Sequence, residues 1–196
     1  LVQRRFAKDF ERWIDKLSEL GYETKWKVLK ASDYGIPQKR ERVYAVSIRK
    51  KLNGCYFRFP DPIPLQIKFR DLLEQNPDEK YFLKQETFEY LKSHSEECKR
   101  KGYGFLFSPV ARDECEIAKT ITTEIGKIRM DDNFIQESDR VRKLTPKECF
   151  RLMGFTDDDF HKAHLVCSDT QLYKQAGNSI VVNVLEEILK KLVRIN

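Results

Sequence analysis

No stretch of this 196-residue sequence approaches the roughly eighteen consecutive apolar residues that a membrane-crossing helix needs, which argues against an integral membrane protein. The opening residues, Leu1-Val2-Gln3-Arg4-Arg5, lack the apolar stretch of a secretion signal, so a soluble, cytoplasmic protein is expected. The five cysteines, Cys55, Cys98, Cys115, Cys149 and Cys167, are odd in number and widely spaced, which leaves no metal knuckle and no disulfide framework and fits a reducing compartment. A strong charge of one sign is missing too. The 37 Lys and Arg against 31 Asp and Glu leave +6, an excess that permits a polyanionic partner without requiring one. Repeats and low-complexity tracts are absent, and 40% hydrophobic residues are enough for a packed core.

What the chain does contain is organised. Phe6, Phe10, Trp13, Ile14, Leu17 and Leu20 recur at helical spacing, and Gly21 stands where a left-handed cap belongs, which predicts a helix over roughly 3–20. Residues 22–29 and 42–48 alternate and are rich in Val, Tyr, Trp and Ile, as strands are. Pro60, Pro62 and Pro64 can continue neither a ladder nor a helix, so a boundary is placed there. Beyond it, 69–73 and 85–98 read as helical and 103–107 and 117–123 as short strands. Thr145-Pro146-Lys147-Glu148 combines a cap, a first-turn proline and a glutamate three residues after the cap, predicting a helix to about Met153 before Gly154. In the segment 182–193, Val184, Leu185, Ile188, Leu189 and Leu192 fall on one helical face. Because the sequence does not begin with Met and enters an amphipathic pattern almost at once, it is expected to be part of something longer.

Three segments carry chemistry. Gln38, Arg40 and Arg42 sit at i, i+2 and i+4, which on an extended strand puts two guanidinium forks and an amide on one face, a set suited to a planar, anionic target such as a nucleotide. Taken alone, an Arg-x-Arg pair is more often a solvated edge. Arg140 to Phe155 is a well-capped amphipathic helix with a basic approach, for which plain packing is an adequate account. Gln175 to Val182 reads as a small-residue turn leading into a helix, where backbone can approach a ligand closely but more commonly forms a tight loop.

In this order and at this spacing, the three together resemble the cytosine-5 DNA methyltransferases. The matching residues are Gln38/Arg40/Arg42, then Arg142-Lys143-Leu144-Thr145 through Glu148-Cys149-Phe150-Arg151 to Gly154-Phe155, then Gly177-Asn178-Ser179, with Ala118 to Thr123 similar to the family's Thr-rich strand. The resemblance spans essentially the whole chain. It implies an α/β fold: the C-terminal portion of a Rossmann-like methyltransferase sheet in 1–52, a smaller mixed α/β target-recognition domain in 53–139, and the ninth and tenth motif helices in 140–196.

It also implies roles. Arg42 would contact the flipped cytosine or its phosphate, Arg40 would steady a glutamate or a phosphate, and Gln38 would order the strand. Asn178, Ser179 and Gly177 would border S-adenosylmethionine. Lys119, Thr120, Thr122, Thr123, Lys127 and Arg129 would touch double-stranded DNA, each of them otherwise an ordinary solvated polar residue. No metal is implied. The family's Phe-x-Gly-x-Gly loop, Pro-Cys nucleophile and Glu-Asn-Val segment do not occur; the residues before the five cysteines are Gly54, Glu97, Glu114, Glu148 and Val166. Cys149 therefore reads as a buried helix residue rather than a nucleophile. The expected partner is the missing catalytic half, in cis or as a separate chain, and the chain alone is expected to be inactive. A non-catalytic DNA-binding module is the competing reading, in which Val184, Ile188 and Leu192 would lie exposed. An RNA-directed relative of the same fold is a third.

Overall fold

The computed structural model describes residues 6–52, 56–104 and 106–193. Helix α1 (Ala7–Glu19) buries Phe10, whose ring meets the edge of Trp26 at 5.2 Å; the first residues of the expected helix, and Cys55, lie outside the described residues. Gly21, at φ +83°, turns the chain into β1 (Tyr22–Lys30), which pairs antiparallel with β2 (Glu41–Arg49) from Tyr22↔Arg49 to Lys30↔Glu41. Tyr44, Val46 and Ile48 lean on the main core, where Leu29 is buried. Across the pleat Trp26 and Val28 stay exposed.

The proline-rich stretch runs alongside the first segment rather than away from it. Tyr34 Oη donates to the Pro60 carbonyl at 3.0 Å, and the Ile63 amide donates to the Asp33 carbonyl at 2.9 Å. The residues expected to be helical at 69–73 form one 3-10 turn, Phe69–Leu72. Helix α2 (Gln85–Arg100) follows. Three short strands form a second sheet: β3 (Val110–Ala111) parallel to β4 (Phe134–Glu137), which is antiparallel to β5 (Arg140–Lys143).

Neither strand expected at 103–107 or 117–123 forms. Just before the first, Gly102 takes φ +76°, and within it the Phe107 amide is spent on Ser95 Oγ, with Phe105 outside the described residues. The second is extended only around Ala118, which exchanges main-chain hydrogen bonds with Pro37 and Lys39 at 2.8 Å each, before the chain turns at Thr122.

Helix α3 (Pro146–Arg151) starts as its sequence requires. Thr145 Oγ1 accepts from the Glu148 amide at 3.1 Å, while the Glu148 carboxylate accepts from the Thr145 amide at 2.8 Å. Two helices were not anticipated: α4 (Asp157–His164) and α5 (Asp169–Asn178), so that Gly177 and Asn178 end a helix rather than make a free turn. Helix α6 (Val182–Val193) closes the chain.

The principal core gathers Leu29, Phe57, Ile121, Leu144, Met153, Leu172 and Val184 from all three stretches of the sequence, and a smaller cluster holds Leu91, Phe134 and Val141. Val184 and Ile188 are buried within this chain and Leu192 packs against its core. Leu189, on the same apolar stripe, is 54% exposed, so the last helix is covered only in part, and the burial of Val184 and Ile188 does not separate a fragment from a stand-alone module.

A buried ionic network ties α3 to the second sheet. Arg142 and Glu148 are both fully buried and share two hydrogen bonds of 2.9 Å, while Arg142 Nε and Arg112 Nη1 each donate to Glu137 at 2.7 Å. Burial alone would lower the Arg142 pKa, but the hydrogen bonds and charges of Glu148 and Glu137 outweigh it and hold the guanidinium above its ordinary value.

Candidate nucleic-acid and cofactor interface

Gln38 and Arg40 are buried while Arg42 is exposed, so the three do not form one solvent-facing set. Strand β2 begins only at Glu41, because residues 37–39 bond to Ala118 instead of β1. Gln38 is fully buried: its Oε1 accepts from the Ile121 amide at 2.9 Å and its Nε2 donates to the Leu152 carbonyl at 2.7 Å. Arg40 is buried as well, donating through Nη1 to the Ile121 carbonyl at 2.6 Å and through Nη2 to the carbonyls of Gly177 and Ser179 at 3.0 and 2.9 Å. Burial, and then the charge of Arg42, pull Arg40 down to about 10, so it remains protonated at neutral pH. Its Nε is the one buried side-chain nitrogen or oxygen without a hydrogen-bond partner among the described residues. Only Arg42 is presented outward, its Nη1 donating to the carbonyl of Glu41 at 2.7 Å.

Three segments far apart in sequence thus converge on Arg40. Their closeness is also visible at Gly177, where a Cβ would lie 2.3 Å from the carbonyl carbon of Thr122 and from the amide nitrogen of Thr123. The absent side chain admits this chain's own backbone, which corrects the expectation that it admits a ligand. Asn178 is exposed and its amide makes no hydrogen bond among the described residues; Ser179 Oγ donates to the Ile180 carbonyl at 3.2 Å, and Ile180 is half exposed beside them. A free amide next to an apolar side chain fits one wall of a site for a molecule with both polar and apolar parts, as S-adenosylmethionine has.

The expected DNA contacts fall into two sets. Lys119 is half buried: its Nζ donates to the Asp132 carbonyl at 3.2 Å, and the Asn133 amide group clips both its N–H and its C=O, at 2.8 and 3.2 Å. Burial pulls its pKa below the usual lysine range. Thr120 spends its hydroxyl on the Lys39 carbonyl at 2.7 Å, Thr123 is half buried, and exposed Lys127 pairs with Glu124. Thr122 and Arg129 are exposed. The sequence reading missed Asp131, Asp132 and Asn133, which lie against this segment; an Asp-Asp-Asn run resembles any polar turn. Burial pushes the Asp132 carboxyl up to about 7, despite the hydrogen bond it accepts from the Arg129 amide. Cys149 is fully buried and burial raises its thiol, which disfavours a thiolate there. No cluster of metal-ligating side chains occurs among the described residues.

Residues 1–194 match the model of the C-5 cytosine-specific DNA methylases. The chain belongs to that family. It is 37% identical over 199 residues to Type II methyltransferase M2.ScrFI of Lactococcus lactis subsp. cremoris, covering 99% of this methylase chain and 52% of the relative. It is 36% identical to M.DsaV of Dactylococcopsis salina, over 90% of this chain and 49% of that one, and 35% identical to M.HhaI of Haemophilus parahaemolyticus, over 88% and 54%. The methylase chain therefore spans about half the length of these relatives. Among solved structures it superposes on the S. pombe Dnmt2 methyltransferase with a TM-score of 0.70 at 19% identity, covering 94% of this chain and 59% of that one, a likeness of fold. The expected α/β class stands, and no helix among the described residues is long and apolar enough to cross a membrane.

Proposed function

We propose that this chain is the DNA-recognising, cofactor-pocket-closing portion of a DNA (cytosine-5-)-methyltransferase of a restriction-modification system. The observation that carries the reading is the junction at Arg40, where one guanidinium holds Ile121 and the C-terminal end of α5, at Gly177 and Ser179, together. A protein that must read DNA and close over a methyl donor at the same time has a use for such a junction. Membership of the C-5 cytosine-specific DNA methylases supports it, as do relatives twice as long.

In this reading residues 1–52 complete the catalytic sheet, 53–139 read the major groove and 140–196 brace both. Methylation of carbon 5 needs a thiolate adding at carbon 6 and a base turned out of the duplex, and the thiolate belongs to the half of the relatives that this chain does not span. S-adenosylmethionine supplies the methyl group when bound; Asn178 and Ser179 would hold one edge of it. Outward-facing Arg42 would grip the flipped cytosine or its phosphate. Gln38 and Arg40, being internal, would fix the strand that aims it.

The test is Arg42→Ala in the complete enzyme, scored by turnover and by site preference on mixed duplex DNA. Turnover should fall sharply with preference unchanged, because a contact made to the extruded base acts in the reacting complex. A normal rate at relaxed sites would instead make Arg42 a reader of neighbouring bases. The chain alone should transfer no label from S-adenosylmethionine, and incorporation into cytosine would overturn the division of labour.

A further inference from the structure

We propose that Arg129, braced by Asp131, reads a guanine edge in the target duplex; this deepens the DNA-recognition reading and rests on it. Residues 129–132 form a tight turn closed in both directions. The Asp132 amide donates to the Arg129 carbonyl at 3.2 Å, and the Arg129 amide donates to the Asp132 carboxylate at 3.1 Å. The turn is anchored in turn: Lys119 Nζ reaches the Asp132 carbonyl, and Asn133 clips the Lys119 backbone, which is stitched through Thr120 to Lys39. Arg129 therefore stands on a fixed platform rather than on a loose loop.

Its guanidinium is half spoken for. Asp131 Oδ1 lies 3.5 Å from the Arg129 Nε, on one edge of the fork. The opposite edge, with the two terminal nitrogens, has no partner among the described residues. Arg140 and Arg142, by contrast, are already spent on this chain, on Glu79 and on Glu137 and Glu148. Two parallel donors held at a fixed angle match the O6 and N7 acceptors of guanine in the major groove.

The position suits that role. Asp131 lines a groove of about 550 Å³ together with Gly104, Leu106, Ser108, Lys119, Thr120 and Thr122, and Arg129, outside that lining, adjoins it through its pairing with Asp131. A carboxylate at a DNA-facing groove would be repelled by phosphates unless neutralised, and Arg129 neutralises it. Reciprocally, the pairing restricts the rotamers of an exposed arginine and lowers the entropy lost on binding.

The experiment measures methylation by the complete enzyme containing this chain on a library of duplexes randomised around the modified cytosine. Arg129→Ala should lose roughly 5- to 150-fold of the preference for guanine at one position, the span set by one bidentate base contact, with other positions unchanged. Arg129→Lys should lose most of the same preference, because an ammonium has no fork. Asp131→Asn should weaken it at the same position by a smaller factor. The proposal is overturned if Arg129→Ala leaves every position as specific as before. It is equally overturned if affinity falls uniformly with a shallower salt dependence, since Arg129 would then be a phosphate contact. Asp131→Asn relaxing a cytosine or adenine position while Arg129→Ala does not would also overturn it, by making the carboxylate the reader. A parent enzyme that methylates no cytosine in duplex DNA would refute the underlying function instead, a result distinguishable from all of these.

Discussion

Replacing Gly177 with Ala should loosen the junction on which the proposed function rests. The new methyl would lie 2.3 Å from the Thr122 carbonyl carbon and Thr123 amide nitrogen and 2.5 Å from the Thr122 oxygen, all backbone atoms that cannot swing aside. Ordinary contact requires about 1 Å more, so the end of α5 and the segment 122–123 must part by that amount, at about 1–3 kcal/mol for overpacking. Arg40 holds both sides, through Ile121 at 2.6 Å and Gly177 at 3.0 Å, and cannot follow them in opposite directions. Losing one charge-assisted bond costs about 1.5–3 kcal/mol more. Alanine returns about 1 kcal/mol of helix propensity at the last turn of α5. The net is a loss of about 1.5–5 kcal/mol, measurable as a shift in urea midpoint at constant slope in the complete enzyme. A Gly177→Ala protein within about 0.5 kcal/mol of the parent, or more stable, would refute the packing argument and with it the necessity of glycine there.

Glu148→Gln keeps shape but leaves the fully buried Arg142 without its bidentate partner, and should cost about 3–5 kcal/mol; a loss under about 1 kcal/mol would show that Glu137 alone suffices. Asp132 titrates near 7 in the folded protein against about 3.9 unfolded, so its folded state holds the proton longer and stability falls as pH rises through that window. Asp132→Asn does not titrate and keeps an acceptor for the Arg129 amide. Its hydrogen-exchange protection should therefore exceed the parent's at about pH 8 by on the order of 1 kcal/mol after discounting for partial exposure, and show no excess near pH 4; a pH-independent difference would refute the assignment. Asn178→Ala in the complete enzyme should weaken S-adenosylmethionine binding by roughly 1–3 kcal/mol with little change in DNA affinity measured without the donor, and the reverse pattern would remove that residue from the donor site.

Elements with strong local signals were legible in the sequence: α1 and α6 from their apolar stripes, β1 and β2 from alternation, and α3 from a cap, a proline and a glutamate in fixed positions. Helix α4 carried a comparable signal that went unused, since Thr156 and Asp159 form a capping box immediately after Gly154-Phe155. Strands β3 to β5 could not be seen, because two to four residues are too few to show a period. The site was legible as a set of residues and illegible as geometry. Spacing alone placed Gln38 and Arg40 on an exposed face; their partners, Ile121, Leu152 and Gly177, lie more than eighty residues away and leave no mark near position 38. Asn133 is the same case, an amide whose work is to imitate a strand against Lys119.

The central claim is that this chain serves methylation of carbon 5 of cytosine in duplex DNA, and the measurement that meets it most directly is the identity of the product. The complete enzyme, incubated with isotopically labelled S-adenosylmethionine and separate pools of duplex DNA and structured RNA, should yield 5-methyl-2′-deoxycytidine as the labelled nucleoside after digestion and mass analysis. Label recovered as an N4-methylated cytosine or N6-methylated adenine, or confined to the RNA pool, would contradict it.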